Sequence, residues 1–209
     1  MSTTDKPRKR NAVETRSRIL AAAQQVFAEV GYSFASIRQI ALVASADPAL
    51  VIRYFGSKAG LYEAALADAI PDYPDLDLSH EQFGEHLTAK LIEAIIDDRM
   101  LAMIVLSAGD PEARAIGLKV MLECGVKPLA EWLGPPDATA RAIRMTMLST
   151  GFMFYTRQLP LLSIGAAVET GTAQWLAETL QSIIDAGRDG QNGALESRPD
   201  GAAFAGRQP

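Results

Sequence analysis

The side chains in this chain that offer chemistry are mostly cations. Residues 1–60 hold Lys6, Arg8, Lys9, Arg10, Arg16, Arg18, Arg38, Arg53 and Lys58 against Asp5, Glu14, Glu29 and Asp47, a net of +5. The remaining residues hold 11 basic and 21 acidic side chains, a net of −10, and the two parts sum to the −5 of the whole 209-residue chain. The average would discourage a nucleic-acid partner, because a polyanion repels an acidic protein. The split points instead to a small phosphate-binding module carried on a body that stays away from phosphate. Charge alone leaves open the plainer alternative of solvated surface charges.

Other chemistries find little support. No nucleophile–base pair or glycine-rich phosphate loop can be picked out, so the expectation is that the protein is not an enzyme and needs no cofactor. His80 and His86 are six apart, whereas two ligands on one helix face need a spacing of three or four, so no metal site is expected. Cys124 is the only cysteine and suits a reducing compartment, where it serves as a small buried hydrophobe. The longest apolar stretch, around Met100 to Leu106, falls far short of the roughly 20 residues of a membrane span. The opening Met-Ser-Thr-Thr-Asp lacks the apolar core of a secretory signal. A cytoplasmic protein with no membrane partner is the expectation.

To position the cations, the chain has helices. Alternating β-branched runs are almost missing, so the predicted class is all-α. Ile19, Ala23, Phe27 and Val30 recur at helical spacing and Gly31 follows as a stop, which predicts a helix over about 13–30. Ser36-Ile37-Arg38-Gln39 is a capping box that starts a short helix at 37. Asp47 as cap and Pro48 at the first helical position start a third helix, 48 to about 54. Gly56 interrupts, Ser57 caps, and a fourth helix runs from Lys58 to about Ile70, closed by Pro71 and Pro74. Two short helices joined by a tight turn and braced by a longer one form a helix-turn-helix, whose second short helix has the diameter to enter a major groove about 12 Å wide. Short helices and tight turns also occur in all-α proteins that never meet DNA.

The stretch from Thr15 to about Leu66 resembles the N-terminal domain of the TetR family of transcriptional repressors, without gaps. The likeness rests on the Arg/Ile-Leu start of helix one, Phe27 with Gly31-Tyr32, Ser36-Ile37-Arg38 before Ile40-Ala41, and Tyr54-Phe55 before Ser57-Lys58. The region from about 99 to 186 is similar, more weakly, to a ligand-binding domain common among actinobacterial members, through Asp110-Pro111-Glu112-Ala113-Arg114 and the segment Gly151 to Pro160.

The resemblance implies that Arg38, Ala49, Arg53, Tyr54 and Lys58 face double-stranded operator DNA. Pro48 and Ala49 add a small outer face to the third helix, and Ser36 adds a phosphate bond if capping leaves its oxygen free. Arg38 and Arg53 can pair with phosphate or lie bidentate on guanine, and the Tyr54 hydroxyl can donate to a phosphate oxygen. Three departures stand out. Ile52 replaces the tyrosine usual two positions before Tyr54, Ser45 replaces the turn glycine, and Asp47 stands where a neutral cap is usual. Ile52 and Asp47 keep alive a family-shaped protein that binds ligands or partners but has lost specific DNA reading.

Beyond residue 75, helices are expected over about 80–97, 99–108, 111–131, 137–158 and 168–186. The expected division is a flexible basic arm over 1–11, a helix-turn-helix domain over 12–56, an effector-binding and dimerisation domain over 57–187, and a disordered tail over 188–209. The arm's Lys6 to Arg10 would add minor-groove affinity or merely solubility. The helices 137–158 and 168–186 resemble the pair through which family members form a four-helix homodimer interface, here through Ile143, Met147, Phe154, Trp175, Leu176, Leu180 and Ile183. A dimer places two reading helices about 34–36 Å apart and favours a palindromic site. The resemblance also implies a pocket for a small apolar effector, lined by Met100, Met103, Met121, Met145, Phe152 and Tyr155, since methionine adapts to irregular apolar ligands. The same residues would serve equally as plain core.

Overall fold

Ile19, Ala23, Val26 and Phe27 repeat every three or four residues, so a helix through them carries one apolar stripe. In the computed structural model, which describes residues 6–70, 80–93, 99–159 and 170–196, that stripe is buried. Helix α1 spans Lys6–Phe34, but its regular backbone breaks at Gly31, with φ 73° and ψ 170°. A Cβ on Gly31 would meet the Leu106 carbonyl oxygen at 2.7 Å, so backbone conformation and space both require glycine there. The helix begins at Lys6, well before residue 13, and therefore enters the segment read as a flexible arm. The side chains of Lys6 to Arg10 lie outside the described residues, as do residues 1–5.

Helix α2 is Ile37–Val43, α3 is Pro48–Phe55 and α4 is Lys58–Ala69. Each begins at the expected cap: Ser36 Oγ accepts from Gln39 N at 3.2 Å, Asp47 Oδ1 from Ala49 N at 2.7 Å, and Ser57 Oγ from Gly60 N at 3.0 Å. Pro71 and Pro74, expected to close α4, lie outside the described residues; the helix ends at Ala69 with Ile70 as its cap.

In the rear half α5 is Phe83–Ile92, α6 is Arg99–Ser107, α7 is Pro111–Val120 and α8 is Lys127–Leu133. The single helix expected over 111–131 is α7 and α8 joined through a π-helical turn, Met121–Val126. Pro128 explains the turn. It has no N–H and its ring crowds the carbonyl four residues back, so the backbone widens just before it. Helix α9, Ala138–Met153, likewise passes into a π-helical turn over Phe154–Gln158. Helix α10 is Thr170–Glu196 and so runs on into the segment read as a disordered tail, while residues 197–209 lie outside the described residues. Every described element is helical.

Two cores form. The front core gathers α1 to α4 around Ile19, Phe27, Ile40, Val51, Leu61 and Tyr62, and takes Met103 of α6 and Ala113 and Val120 of α7. Because Leu61, Tyr62, Ala65 and Leu66 of α4 are buried in it, the packing unit does not stop at residue 56. The rear core gathers Phe83, Leu91, Leu129, Met145, Leu176 and Leu180, among others. Each large side chain fully buried in either core contributes about 1.5–3 kcal/mol.

Arg141 locks the rear corner. Nearly fully buried, its guanidinium donates to the carbonyls of Leu133, Gly134, Pro136 and Ile184. It thereby ties the end of α8 and the following loop to α9 and α10, with burial holding its pKa below the usual arginine value.

Candidate nucleic-acid interface and effector cavity

Helix α3 is anchored by Val51, which is fully buried, and by Phe55 and Tyr54, which pack part-buried on the front core. A helix turns about 100° per residue, so fixing Val51 and Phe55 inward turns Ala49 and Arg53 outward, with Ile52 on the flank and Pro48 at the open first turn of the helix. All four are exposed. The Arg53 guanidinium lies 5.4 Å from the centre of the Tyr54 ring, a stacking that restrains the cation without neutralising it. Arg38 is exposed on α2. Tyr54 is half-buried, packing its ring on Phe55 and on the core.

Three positions behave differently from a plain cationic face. Ser36 spends an oxygen lone pair on Gln39 N, which leaves its hydroxyl proton as its only offer to a phosphate. Lys58 is half-buried, and its Nζ donates to the carbonyls of Tyr32 at 3.0 Å and Ala35 at 3.4 Å while resting 4.2 Å from the Tyr32 ring centre. It braces the turn between α1 and α2 and keeps one N–H uncommitted to those carbonyls. Ile52 is 45% exposed, so the apolar replacement lies on the outer surface and not in the core.

Arg16, whose sequence context marks it only as a charge, lies over the Phe55 ring at 5.2 Å and adds a cation beside the end of α3. Nothing in its own spacing marks it, because the contact joins residues far apart in the chain. Leu42 is also exposed, at 81%, next to the turn that leads into α3.

That front unit is gripped by the α6–α7 corner. The Tyr32 amide donates to Ser107 Oγ at 2.9 Å, the Tyr32 hydroxyl donates to the Glu112 carboxylate, and Ser33 Oγ donates to Asp110 Oδ2 at 2.8 Å. Burial first, and then the hydrogen bond to Glu112, push the Tyr32 pKa up. Asp110 caps α7 through the amides of Glu112 and Ala113; the Ala113 amide and then the Ser33 hydroxyl hold its carboxyl below the usual range.

Behind this corner α5, α6, α8, α9 and the π-helical turn Met121–Val126 line a cavity of about 70 Å³. Met100, Met121 and Met145 line it, together with Met153, Phe83, Leu87 and others. Met103 does not. It is fully buried in the front core, and its carbonyl accepts from the Tyr62 hydroxyl at 3.1 Å. Phe152 and Tyr155 line a separate open groove of about 370 Å³ between α9 and α10, with Met147 and Trp175.

Of the residues expected at a dimer interface, Ile143, Met147 and Trp175 are exposed, and Phe154 and Ile183 are half-buried against the rear core. Leu176 and Leu180 are fully buried within the protomer and cannot also cover a partner. Trp175 and Leu176 are adjacent, and the 100° between them separates outer face from core.

His80 is stacked on Trp132, with ring centres 4.2 Å apart. Among the described residues no helix is long and apolar enough to cross a membrane.

Comparison with known proteins matches both halves. A family model described as bacterial regulatory proteins, tetR family, covers residues 19–65. One described as tetracyclin repressor-like, C-terminal domain, covers residues 81–184. The chain belongs to the TetR family. A search of curated proteins gives no match. Among solved structures, NalD, the secondary repressor of the MexAB-OprM multidrug efflux pump in Pseudomonas aeruginosa, is similar at 17% identity and a TM-score of 0.53, over 85% of this chain and 96% of that one. A TetR-family regulator, SCO0857, from Streptomyces coelicolor A3 is similar at 24% identity and a TM-score of 0.44, over 83% of this chain and 96% of that one. The NalD likeness is one of fold. Membership in the TetR family makes the front unit a DNA-binding helix-turn-helix and the rear unit the ligand-binding domain of a transcriptional regulator.

Proposed function

We propose that this TetR-family protein is a homodimeric repressor that binds palindromic operator DNA and is released by a small apolar effector. The observation that carries the reading is the outer face of α3, where Pro48, Ala49 and Arg53 stand clear of the core on a helix held from behind by Val51. Arg53 and Arg38 are the proposed base or phosphate readers, and Tyr54, Ser36 and the remaining N–H of Lys58 the phosphate contacts. Ala49 and Ile52 suit thymine methyls. The exposed Ile143, Met147 and Trp175 favour self-association through α9 and α10, because an apolar patch of this kind on a soluble protein is commonly a partner surface.

Release follows from shared elements. Met100 of α6 and Met121, just beyond α7, line the cavity, while Ser107, Asp110 and Glu112 at the corner of the same helices hold Tyr32 and Ser33. A ligand that spreads the cavity shifts that corner, and the front units of a dimer with it, so ligand and DNA compete through one element.

The test is a gel shift of the full chain on DNA from its own promoter across a salt series. Specific binding with a steep salt slope supports the reading. Ligand binding without any DNA affinity favours instead a family-shaped protein that works through its ligands or partners.

A further inference from the structure

The wall chemistry of the cavity defines what it accepts. Among the described residues that line it there is no lysine, arginine, histidine, aspartate or glutamate. An ion entering would lose its hydration shell without gaining a counter-charge. The wall is not uniformly apolar, however. Thr146, Ser149 and Thr150 line it, all from α9 at positions i, i+3 and i+4, and so form a strip of hydroxyls on one side. Thr146 Oγ1 donates to the Ala142 carbonyl at 2.9 Å and keeps lone pairs to accept with. The hydroxyls of Ser149 and Thr150 are half-buried and are not engaged by other described side chains. Met145 and Met153 flank that strip on α9, and the facing walls are methionine and aliphatic, with Met100, Met121, Leu87 and Leu129 from other elements. About 70 Å³ falls well below the roughly 300–1,000 Å³ of ligand pockets, so a ligand must displace side chains. Unbranched methionines do this at low cost. The Met121 ε-methyl lies against the bare α-carbon of Gly125, 3.7 Å from where a Cβ would stand, so this wall is also thin at the π-helical turn.

We infer that the effector is an uncharged, compact apolar molecule carrying one hydrogen-bonding oxygen, an alcohol, ketone or ester, which meets the α9 hydroxyl strip while the methionines part around its body. The inference rests on the effector reading above and narrows it to a chemical class. A pure hydrocarbon would leave two hydroxyls without a partner, and an acid or amine would be stranded as an ion.

The experiment is calorimetric titration of the full chain at pH 7.5 with 1-octanol, octanoate and octylamine, which share one chain and differ in head-group charge, and with benzene as an apolar probe. Octanol is expected to bind at least tenfold more tightly than either ion. Thr150→Val and Ser149→Ala, each a small change, are expected to weaken octanol severalfold and leave benzene unaffected. Binding of octanoate or octylamine as tight as that of octanol overturns the inference, as does binding of none of the three, or an octanol affinity indifferent to both substitutions. The repressor reading fails separately: if the probes rank as expected but octanol leaves promoter binding unchanged in the gel shift, the ligand class stands and effector release does not.

Discussion

Arg53 and Lys58 carry the same charge, yet the fold engages them differently, and substitution separates their roles. Arg53 is exposed and restrained only by the Tyr54 ring. If it reads a base, Arg53→Ala costs about 1–3 kcal/mol on the specific site and little on random DNA, which competition gel shifts measure. Unchanged discrimination would remove Arg53 from the reading set. Lys58→Met removes two charge-assisted bonds to the carbonyls of Tyr32 and Ala35, so stability falls by about 1–3 kcal/mol in urea unfolding. If the third N–H meets phosphate, the slope of log affinity against log salt also flattens by about one unit. A lower stability with an unaltered slope leaves Lys58 as a brace alone. The identities of these residues are legible in the sequence. The bracing of Lys58 is not, because its partners are backbone carbonyls more than twenty residues away.

At the scale of elements, local rules carry far, and the starts of α2, α3 and α4 agree with the cap residues that predict them. The turn between α2 and α3 shows the consequence of one departure. Ser45 has φ 48°, in the left-handed region that costs a residue with a Cβ about 1–2 kcal/mol. Ser45→Gly relieves most of this at some cost in chain entropy, so the expected gain is about 1 kcal/mol. That is a rise in Tm of about 2–4 °C by calorimetry; a fall would show that the serine hydroxyl holds the turn. Asp110 gives the α6–α7 corner a pH dependence. Its folded-state pKa lies below its unfolded value, so its contribution is complete above about pH 4 and is lost as the pH falls further. Asp110→Asn, which still caps a helix, should therefore flatten the acid limb of the stability profile, with no change in that limb arguing against the assignment. Where local reading stopped short, the causes are identifiable: Pro128 widens a helix without ending it, and α1 and α10 continue past segments whose composition suggested chain ends without structure.

At the scale of the molecule, one pair of rear helices both fills a core and leaves apolar side chains exposed. Helix α10 turns Leu176, Leu180 and Ile184 into the rear core and leaves Trp175 55% exposed, near Met147 of α9, itself 68% exposed. If that face joins two copies, Trp175→Glu places a charge in an apolar contact and yields monomers in sedimentation equilibrium without unfolding the protomer. Binding to a palindrome then weakens far more than binding to a half-site. A dimer that survives the substitution locates the interface elsewhere.

The sequence by itself determined what depends on neighbours along the chain: the all-α class, the short helices and their caps, the cationic front and acidic rear, and the likeness that marked the front as a TetR-type helix-turn-helix. Only the tertiary structure decided which side of each helix faces in. It moved Met103, Leu176 and Leu180 into cores, set Arg16 on Phe55, and placed the α6–α7 corner on Tyr32. The physical reason is that periodicity defines a stripe but not what covers it, and the covering partners here come from residues tens of positions away, where spacing carries no information.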